Sequence, residues 1–244
     1  MQSENETGAQ PESVENSSAV RQPVLVELFT SEGCSSCPPA DKNLAFLEKQ
    51  QPVAKAEAIT LAFHVDYWDR LGWKDRFSSP LYSRRQEVYS QALKIGSNYT
   101  PQMIVDGREE FVGSDSGKAS KEITKAIETP KAVIEIVVDG GRATVKISNA
   151  PKHDNSTVFA AIAEDGIRSR VERGENAGMD LEHVSVVREL KTIGMLEGDK
   201  SDLEIRFEVP SDPEWNPVNL KVVVFVQENE SRKIIGVRRG QLTR

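Results

Sequence analysis

The segment that most constrains the fold of this chain is VELFTSEGCSSCPPAD, residues 26–41, which contains the only two cysteines of the 244 residues. An apolar run typical of a strand precedes the cysteines, and PPADKNLAFLEKQ follows them with apolar residues at helical spacing. Proline is tolerated in the first turn of a helix, because its missing N–H would have no intrahelical partner there. The sequence therefore predicts that Cys34 and Cys37 lie where a strand passes into a helix.

A Cys-x-x-Cys pair can be a redox centre, a metal clip or a structural staple. A bridge between Cys34 and Cys37 closes a very short loop, and the entropic stabilisation from a disulfide shrinks with loop length, so the staple is the weakest of the three. At a helix N-terminus, unpaired amides and the positive end of the helix dipole favour the thiolate, which is the reactive form of cysteine. Ser35 and Ser36 offer hydroxyl donors beside it. These features favour a redox pair.

The segments after the first helix repeat the alternation of strand and helix. AITLAFHVDYWD contains a buried strand at 59–65, and a helix follows with Ser79 as its N-cap and Pro80 at its first position. NYTPQMIVDGREEFVGSD predicts a hairpin with a two-residue Asp-Gly turn. A closing helix ends before Pro130. The predicted order is strand, helix, strand, helix, hairpin, helix.

Beyond Pro130 the pattern changes to short alternating β-segments, which predict an all-β, sandwich-like second domain over 131–244. Within it, RVERGENAGMDLEHVSVVREL, residues 170–190, is interpreted as a long loop between strands. Docking of this stretch near Cys34 is a hypothesis. Residues 1–22 are polar and lack periodicity, so we expect a disordered leader or linker.

Composition excludes several classes of function. A net charge of −7 argues against a nucleic-acid partner, and no stretch has the apolar length of an integral membrane segment. The sequence has neither a phosphate-binding glycine loop nor the signature of a serine hydrolase. We therefore expect no cofactor and no hydrolase activity.

The Cys-x-x-Cys at the helix start, the Thr-Pro before the hairpin and the glycine in its turn resemble the thioredoxin-like superfamily over 23–130, with a helical insertion at about 66–98. VELFTSEGCSSCPPAD, LAFHVDYWDRLGWKDRF and YTPQMIVDGREEFVGSD resemble, more narrowly, the bacterial family of domain of unknown function 1223, catalogued as secreted proteins. The resemblance implies an α/β thioredoxin-like domain followed by the all-β domain, and a periplasmic or secreted location. It also implies a protein or small thiol/disulfide substrate, with the redox partner unknown.

The superfamily resemblance assigns roles by position. It implies that Cys34 is the more exposed, attacking thiolate, and that Cys37 resolves the mixed disulfide. Ser35, Ser36, Thr100 and Pro101 would line the substrate groove. The peptide bond before this proline would be cis.

Glu27 interrupts the apolar run beneath the first helix, near the position where thioredoxins keep a buried acid. As a buried acid, Glu27 would suit a proton acceptor for Cys37, whereas the alternative is a solvent-facing position at a strand edge. A second function class is a redox-silent protein-binding module on the same fold. A third is a copper or zinc chaperone that uses Cys34, Cys37 and His64, because thiolates and imidazole suit these metals.

Overall fold

The computed structural model describes residues 21–242. Residues 1–20 of the leader predicted for 1–22 lie outside this range. The chain is a mixed α/β protein with one large sheet. The elements before residue 130 are β1 Gln22–Thr30, α1 Pro38–Gln50, β2 Ala56–His64, α2 Pro80–Ala92, β3 Gln102–Val105, β4 Glu109–Val112 and α3 Ser116–Ala126. The later strands are β5 Val133–Asp139, β6 Arg142–Ser148, β7 Ser156–Glu164, β8 Ile167–Arg170, β9 Asp180–His183, β10 Val186–Leu196, β11 Leu203–Glu208, β12 Leu220–Glu228 and β13 Ile234–Gln241.

The helices begin where the predicted signals stand. The first helix has prolines at its first two positions, and α2 has Pro80 at its first position with Ser79 as the N-cap, whose hydroxyl accepts the N–H of Leu81 at 3.2 Å. The third helix is capped by Asp115, whose side chain accepts the N–H of Lys118. The hairpin β3–β4 is also present, but its connection is three residues long rather than two, because Val105 pairs with Glu109.

One sheet of eight strands runs through the molecule in the order β13-β12-β7-β10-β2-β1-β3-β4. The first two strands are parallel, while β3 is antiparallel to β1 and to β4. Strands from both sides of residue 130 therefore belong to the same sheet. The join is narrow: β10 pairs with β2 at Val186 and Ala62, and the N–H of Ala62 donates to the carbonyl of Ser185 at 2.8 Å.

A second, three-stranded sheet in the order β11-β6-β5 covers one face of the later strands. Val145 and Ile147 of this sheet are buried in one apolar cluster with Val158, Val222 and Val224 of the large sheet. The strands after residue 130 thus form two β layers with a core between them. A separate two-stranded ribbon, β8–β9, lies beside α1.

The interpretation of 170–190 as a loop is wrong in part, because β9 lies within it and β10 begins at Val186. This long strand has register shifts between Val187 and Glu189 and between Thr192 and Gly194. At such a bulge two residues of one strand lie opposite one residue of its partner, which interrupts the alternation of buried and exposed side chains. The pattern that identifies a strand in the sequence is therefore broken inside β10.

Alternate residues of β1 face the two layers of helices. Val24, Val26 and Leu28 belong to the cluster that includes Leu44 of α1, whereas Leu25 and Phe29 pack with residues of α2. The carboxyl end of β1 leads into the two cysteines. Within residues 21–242, no helix combines the length and the apolar character that crossing a membrane requires.

Candidate functional site

The two cysteines lie at the start of α1 and form a disulfide, with their Cα atoms 5.4 Å apart. Two successive turns build this position: the N–H of Cys34 donates to the carbonyl of Ser31 at 3.2 Å, and the N–H of Cys37 donates to the carbonyl of Cys34 at 3.1 Å. The second cysteine is the N-cap residue of α1, directly before the two prolines. The predicted strand-to-helix position of the pair is confirmed.

Both cysteines are 0% exposed. The expectation that Cys34 is the more exposed of the two is therefore wrong. Ser35 and Ser36, between them, are exposed and form the outer surface of the turn. The hydroxyl of Ser36 lies 3.3 Å from the sulfur of Cys34.

The segment before β3 lies against this turn. The Ser36 hydroxyl donates to the carbonyl of Thr100 at 3.4 Å, and the indole N–H of Trp68 donates to the hydroxyl of Thr100 at 2.8 Å. The peptide bond between Thr100 and Pro101 is cis, as expected. Of the residues predicted to line the groove, Ser36 and Thr100 are thus in direct contact.

The connection between β8 and β9 covers the Cys-x-x-Cys turn from the other side. The side-chain amide of Asn176, which is buried, donates to the carbonyls of Glu32 and Cys34 at 2.8 and 2.9 Å. The carboxylate of Glu175 accepts the N–H and the hydroxyl of Ser35 at 3.0 and 2.6 Å. We call residues 173–178 the cover segment. The hypothesis that this stretch docks near Cys34 is confirmed.

The exposed carboxylate of Glu175 lies beside the turn that precedes α1. The hydrogen bonds from Ser35 hold the pKa of Glu175 below its usual value, because they favour the charged form. This carboxylate thus places a negative charge beside the turn that holds Cys34.

Glu27 is buried, but on the face of the sheet opposite α1. Its carboxylate accepts the Nε–H of Arg85 at 2.6 Å and the hydroxyl of Tyr89, both on α2. In a strand successive side chains point to opposite faces, and Val26 and Leu28 take the face toward α1. The structure therefore does not bring Glu27 together with Cys37.

Five buried ionisable side chains lie on the α1 side near the disulfide: Glu32, Asp41, His64, Asp75 and His183. The imidazole of His64 donates from Nδ1 to Asp75 Oδ2 at 2.6 Å, and its ring centroid lies 5.0 Å from that of His183. The two nitrogens of His183 lie 3.4 Å from Glu32 Oε1 and 4.0 Å from Asp41 Oδ2. We call these residues the acid–base cluster.

Within the cluster, each imidazole lies next to carboxyl groups. Burial disfavours protonation of His64, but the carboxylates of Asp75, Asp41 and Glu32 together outweigh it and raise the pKa of His64. Burial also works against the ionised form of Asp75, but the pKa of that carboxyl is lowered by His64 and by the N–H groups of Glu32 and Phe77. For Asp41 burial is the larger effect, and it raises the pKa of that carboxyl despite His183 and His64.

Sequence reasoning named His64 as an alternative metal ligand and assigned no catalytic role to the other four members. One local signal existed for Asp41: it follows Cys37 by four residues and shares the helical spacing of Leu44 and Leu47, so it lies on the buried face of α1. No local signal connects Glu32 with His183, because their contact depends on the position of β9.

Comparison with known proteins gives the family. The family described as protein of unknown function (DUF1223) matches residues 25–227. This chain belongs to that family. The family match includes the disulfide, the cover segment and every member of the acid–base cluster. No match was found among curated proteins.

A similar fold has been seen in a crystal structure. A protein from Agrobacterium tumefaciens is similar over 91% of this chain and 96% of its own, with a TM-score of 0.74 and 26% sequence identity. A domain of the outer membrane lipoprotein Omp28 from Porphyromonas gingivalis matches 47% of this chain and 89% of its own, with a TM-score of 0.26 and 14% identity. We draw no conclusion from the second similarity.

The arrangement does not favour the metal alternative for this member of the family. Cys34 and Cys37 are bonded to each other, and the Nδ1 of His64 is engaged by Asp75. Across residues 21–242, no group of three or more His, Cys, Asp or Glu side chains has the geometry to hold a metal ion. Cys34, Cys37 and His64 therefore do not form a metal site in this structure.

A cleft of about 680 Å³ opens beside the cluster, between α1 and the β8–β9 ribbon. Pro38 and Asp41 line its helix side, and Met179 and Leu181 line its ribbon side. Asp41 is thus both a member of the buried cluster and a part of the cleft wall. It is 8% exposed.

Proposed function

We propose that this protein carries out thiol–disulfide exchange through Cys34 and Cys37. The observation that carries the proposal is the disulfide at the N-terminus of α1, directly after a buried parallel strand. We also propose that residues 23–130 are a thioredoxin-like fold. The sheet order β2-β1-β3-β4, with β1 parallel to β2 and antiparallel to β3, supports this.

In the proposed reaction the reduced Cys34 thiolate attacks a substrate disulfide. A bond forms between Cys34 and one substrate sulfur, and the other substrate sulfur leaves as a thiolate. The Cys37 thiolate then attacks the Cys34 sulfur and releases the second substrate thiolate. The protein dithiol is oxidised by two electrons and the substrate disulfide is reduced; the reverse sequence oxidises a substrate dithiol.

The helix start supplies the stabilisation that the attacking sulfur needs. The positive end of the helix dipole favours the anion there, and the Ser36 hydroxyl lies 3.3 Å from the Cys34 sulfur. The exposed Ser35 and Ser36, with Thr100 and Pro101 beside them, form the proposed substrate groove. A protein or a small thiol or disulfide is the proposed substrate.

Substrate access requires the cover segment to move, because neither sulfur is exposed. The bonds from Ser35 to Glu175 lie at the surface, where water competes for both partners. Movement of the cover segment would also break the two hydrogen bonds from the Asn176 amide, but it would leave the eight-stranded sheet intact. A periplasmic or secreted location is part of the proposal, since disulfides persist in oxidising compartments.

The proposal is tested by trapping the mixed disulfide. We expect the Cys37→Ser variant to form a stable mixed disulfide with glutathione disulfide through Cys34, seen by intact mass and lost on adding dithiothreitol. The matched control is Cys34→Ser, which retains only the resolving thiol of Cys37. It should react with glutathione disulfide at least about 10-fold more slowly than Cys37→Ser. Equal rates for the two variants, or no adduct on either, contradict the proposal.

A redox-silent binding module is the second candidate, and the complete burial of both sulfurs favours it. In that case the disulfide would hold the turn that presents Ser35 and Ser36 to a partner. It predicts that glutathione and dithiothreitol leave the disulfide intact in the native protein and reduce it only after unfolding. Rapid reduction under native conditions contradicts this candidate.

A further inference from the structure

We propose that Asp41 is the proton acceptor for the thiol of Cys37 during exchange, and that the cleft beside α1 is the route by which that proton reaches solvent. This inference rests on the proposed exchange function. It gives Asp41 the role that the sequence suggested for Glu27.

The position of Asp41 follows from helix geometry. Cys37 and Asp41 are joined by the first backbone hydrogen bonds of α1, with the N–H of Asp41 donating to the carbonyl of Cys37 at 3.1 Å. Residues four apart lie on one face of a helix, and helical side chains lean toward the N-terminus. The carboxyl group of Asp41 therefore covers the turn that begins at Cys37.

Within residues 21–242, one hydrogen bond holds the carboxylate of Asp41. Its Oδ1 accepts the hydroxyl of Thr30 at 3.0 Å, and its Oδ2 faces the imidazole of His183 at 4.0 Å. A carboxylate with one oxygen outside hydrogen-bond distance can accept a proton without losing a partner. Glu27 cannot do this for Cys37, because it lies on the other face of the sheet and is bound to Arg85.

Burial makes Asp41 a stronger base than an exposed aspartate. It raises the pKa of the carboxyl, which brings it closer to that of a thiol and eases proton transfer between them. The groups that face this side of α1 are His183 from β9, His64 from the end of β2, Glu32 before the helix and Asp75 after β2. The cleft adds Lys42 of α1 and Arg168, Arg170, Asp180 and Glu182 of the ribbon.

The cleft provides the exit. Asp41 lines it together with Pro38, so a proton on the carboxyl reaches solvent without crossing the apolar core. In the resolving step the Cys37 thiol gives its proton to Asp41, and the resulting thiolate attacks the Cys34 sulfur. The substrate sulfur leaves as a thiolate, and the proton passes from Asp41 to water in the cleft. In the reverse direction Asp41 returns a proton to Cys37.

The test separates the two chemical steps. The reduced protein is mixed with 5,5′-dithiobis(2-nitrobenzoate), which releases one thionitrobenzoate when Cys34 attacks and a second when Cys37 resolves. We expect Asp41→Asn to leave the first release unchanged and to slow the second by about 10-fold or more near pH 6. The difference should shrink at alkaline pH, where the Cys37 thiol ionises without a base.

Two further variants complete the design. Asp41→Glu keeps a carboxylate and should restore part of the second release, and it keeps the test decisive if the asparagine variant does not fold. Asp199→Asn removes an exposed carboxylate that does not line the cleft and should change neither step. An asparagine variant with the wild-type second release at every pH overturns the role of Asp41 alone. A wild-type protein that releases no second equivalent contradicts the exchange function itself.

Discussion

Replacing Arg85 by methionine should lower the free energy of unfolding by about 4 kcal/mol, because it leaves the Glu27 carboxylate buried without a cation. The Glu27 side chain is 0% exposed and that of Arg85 is 8% exposed. The guanidinium also donates to Tyr89 and to Gln227, at 3.1 and 3.2 Å. Removing it takes a partner from three buried acceptors at once.

The magnitude follows from what remains after the substitution. Breaking a buried ion pair by removing one partner costs about 3–5 kcal/mol, mostly for the charge left behind. The guanidinium carbon also lies 5.1–5.5 Å from the ring centroids of Phe63, Tyr89, Phe159 and Phe225. A cation among several rings gains about 1–2 kcal/mol, but the methionine thioether retains part of that contact. The expected total stays at about 4 kcal/mol.

The assay is urea unfolding of four proteins: the wild type, Arg85→Met, Glu27→Gln and the double variant. If the buried charge is the main cost, Glu27→Gln in the Arg85→Met background should recover stability, and the cycle should give a coupling of about 2–3 kcal/mol. Additive effects, or an Arg85→Met protein within about 1 kcal/mol of the wild type, would refute this reasoning.

Two further predictions concern the cysteine turn and the hairpin. Replacing Glu175 by glutamine removes a negative charge near the N-terminus of α1 but keeps an acceptor for Ser35. The Cys34 thiolate should then be easier to form, so alkylation of Cys34 in the reduced protein should become several-fold faster at low salt. An unchanged or slower rate contradicts this prediction. Gly107→Ala should destabilise the protein by about 2 kcal/mol more than Gly140→Ala in thermal unfolding. Both glycines have positive φ, but a Cβ at Gly107 would lie 1.9 Å from a backbone oxygen, whereas a Cβ at Gly140 would meet nothing within 4 Å. Equal losses of stability contradict this prediction.

The elements that sequence reasoning predicted well are those with local causes. The start of α1 follows from two prolines, the cap of α2 from Ser79, and the hairpin from Asp106 and Gly107. Each of these signals acts within a few residues and does not depend on tertiary packing. The position of the cysteine pair could therefore be predicted before any contact was known.

The predictions that failed depend on contacts that span the chain. The run around Glu27 is apolar on both faces, so alternation alone could not show which face meets α1. The partner of that side chain is Arg85 on α2, a contact that no local pattern indicates. The join between β10 and β2 rests on pairing near Val186 and Ala62, inside a strand whose bulges conceal its alternation.

The same long-range contacts explain why the site could be predicted only in part. Cys34 and Asp41 come from the first part of the chain, whereas Asn176 and His183 come from beyond residue 130. The division at residue 130 stays a prediction about folding units, but the surroundings of the disulfide already cross it. Asn176 holds the carbonyl of Cys34, and His183 faces the carboxylate that we propose accepts the Cys37 proton. The β-rich part thus supplies both the cover segment over the turn and an imidazole that faces Asp41, so the chemistry of the pair depends on residues that a bare Cys-x-x-Cys helix does not contain.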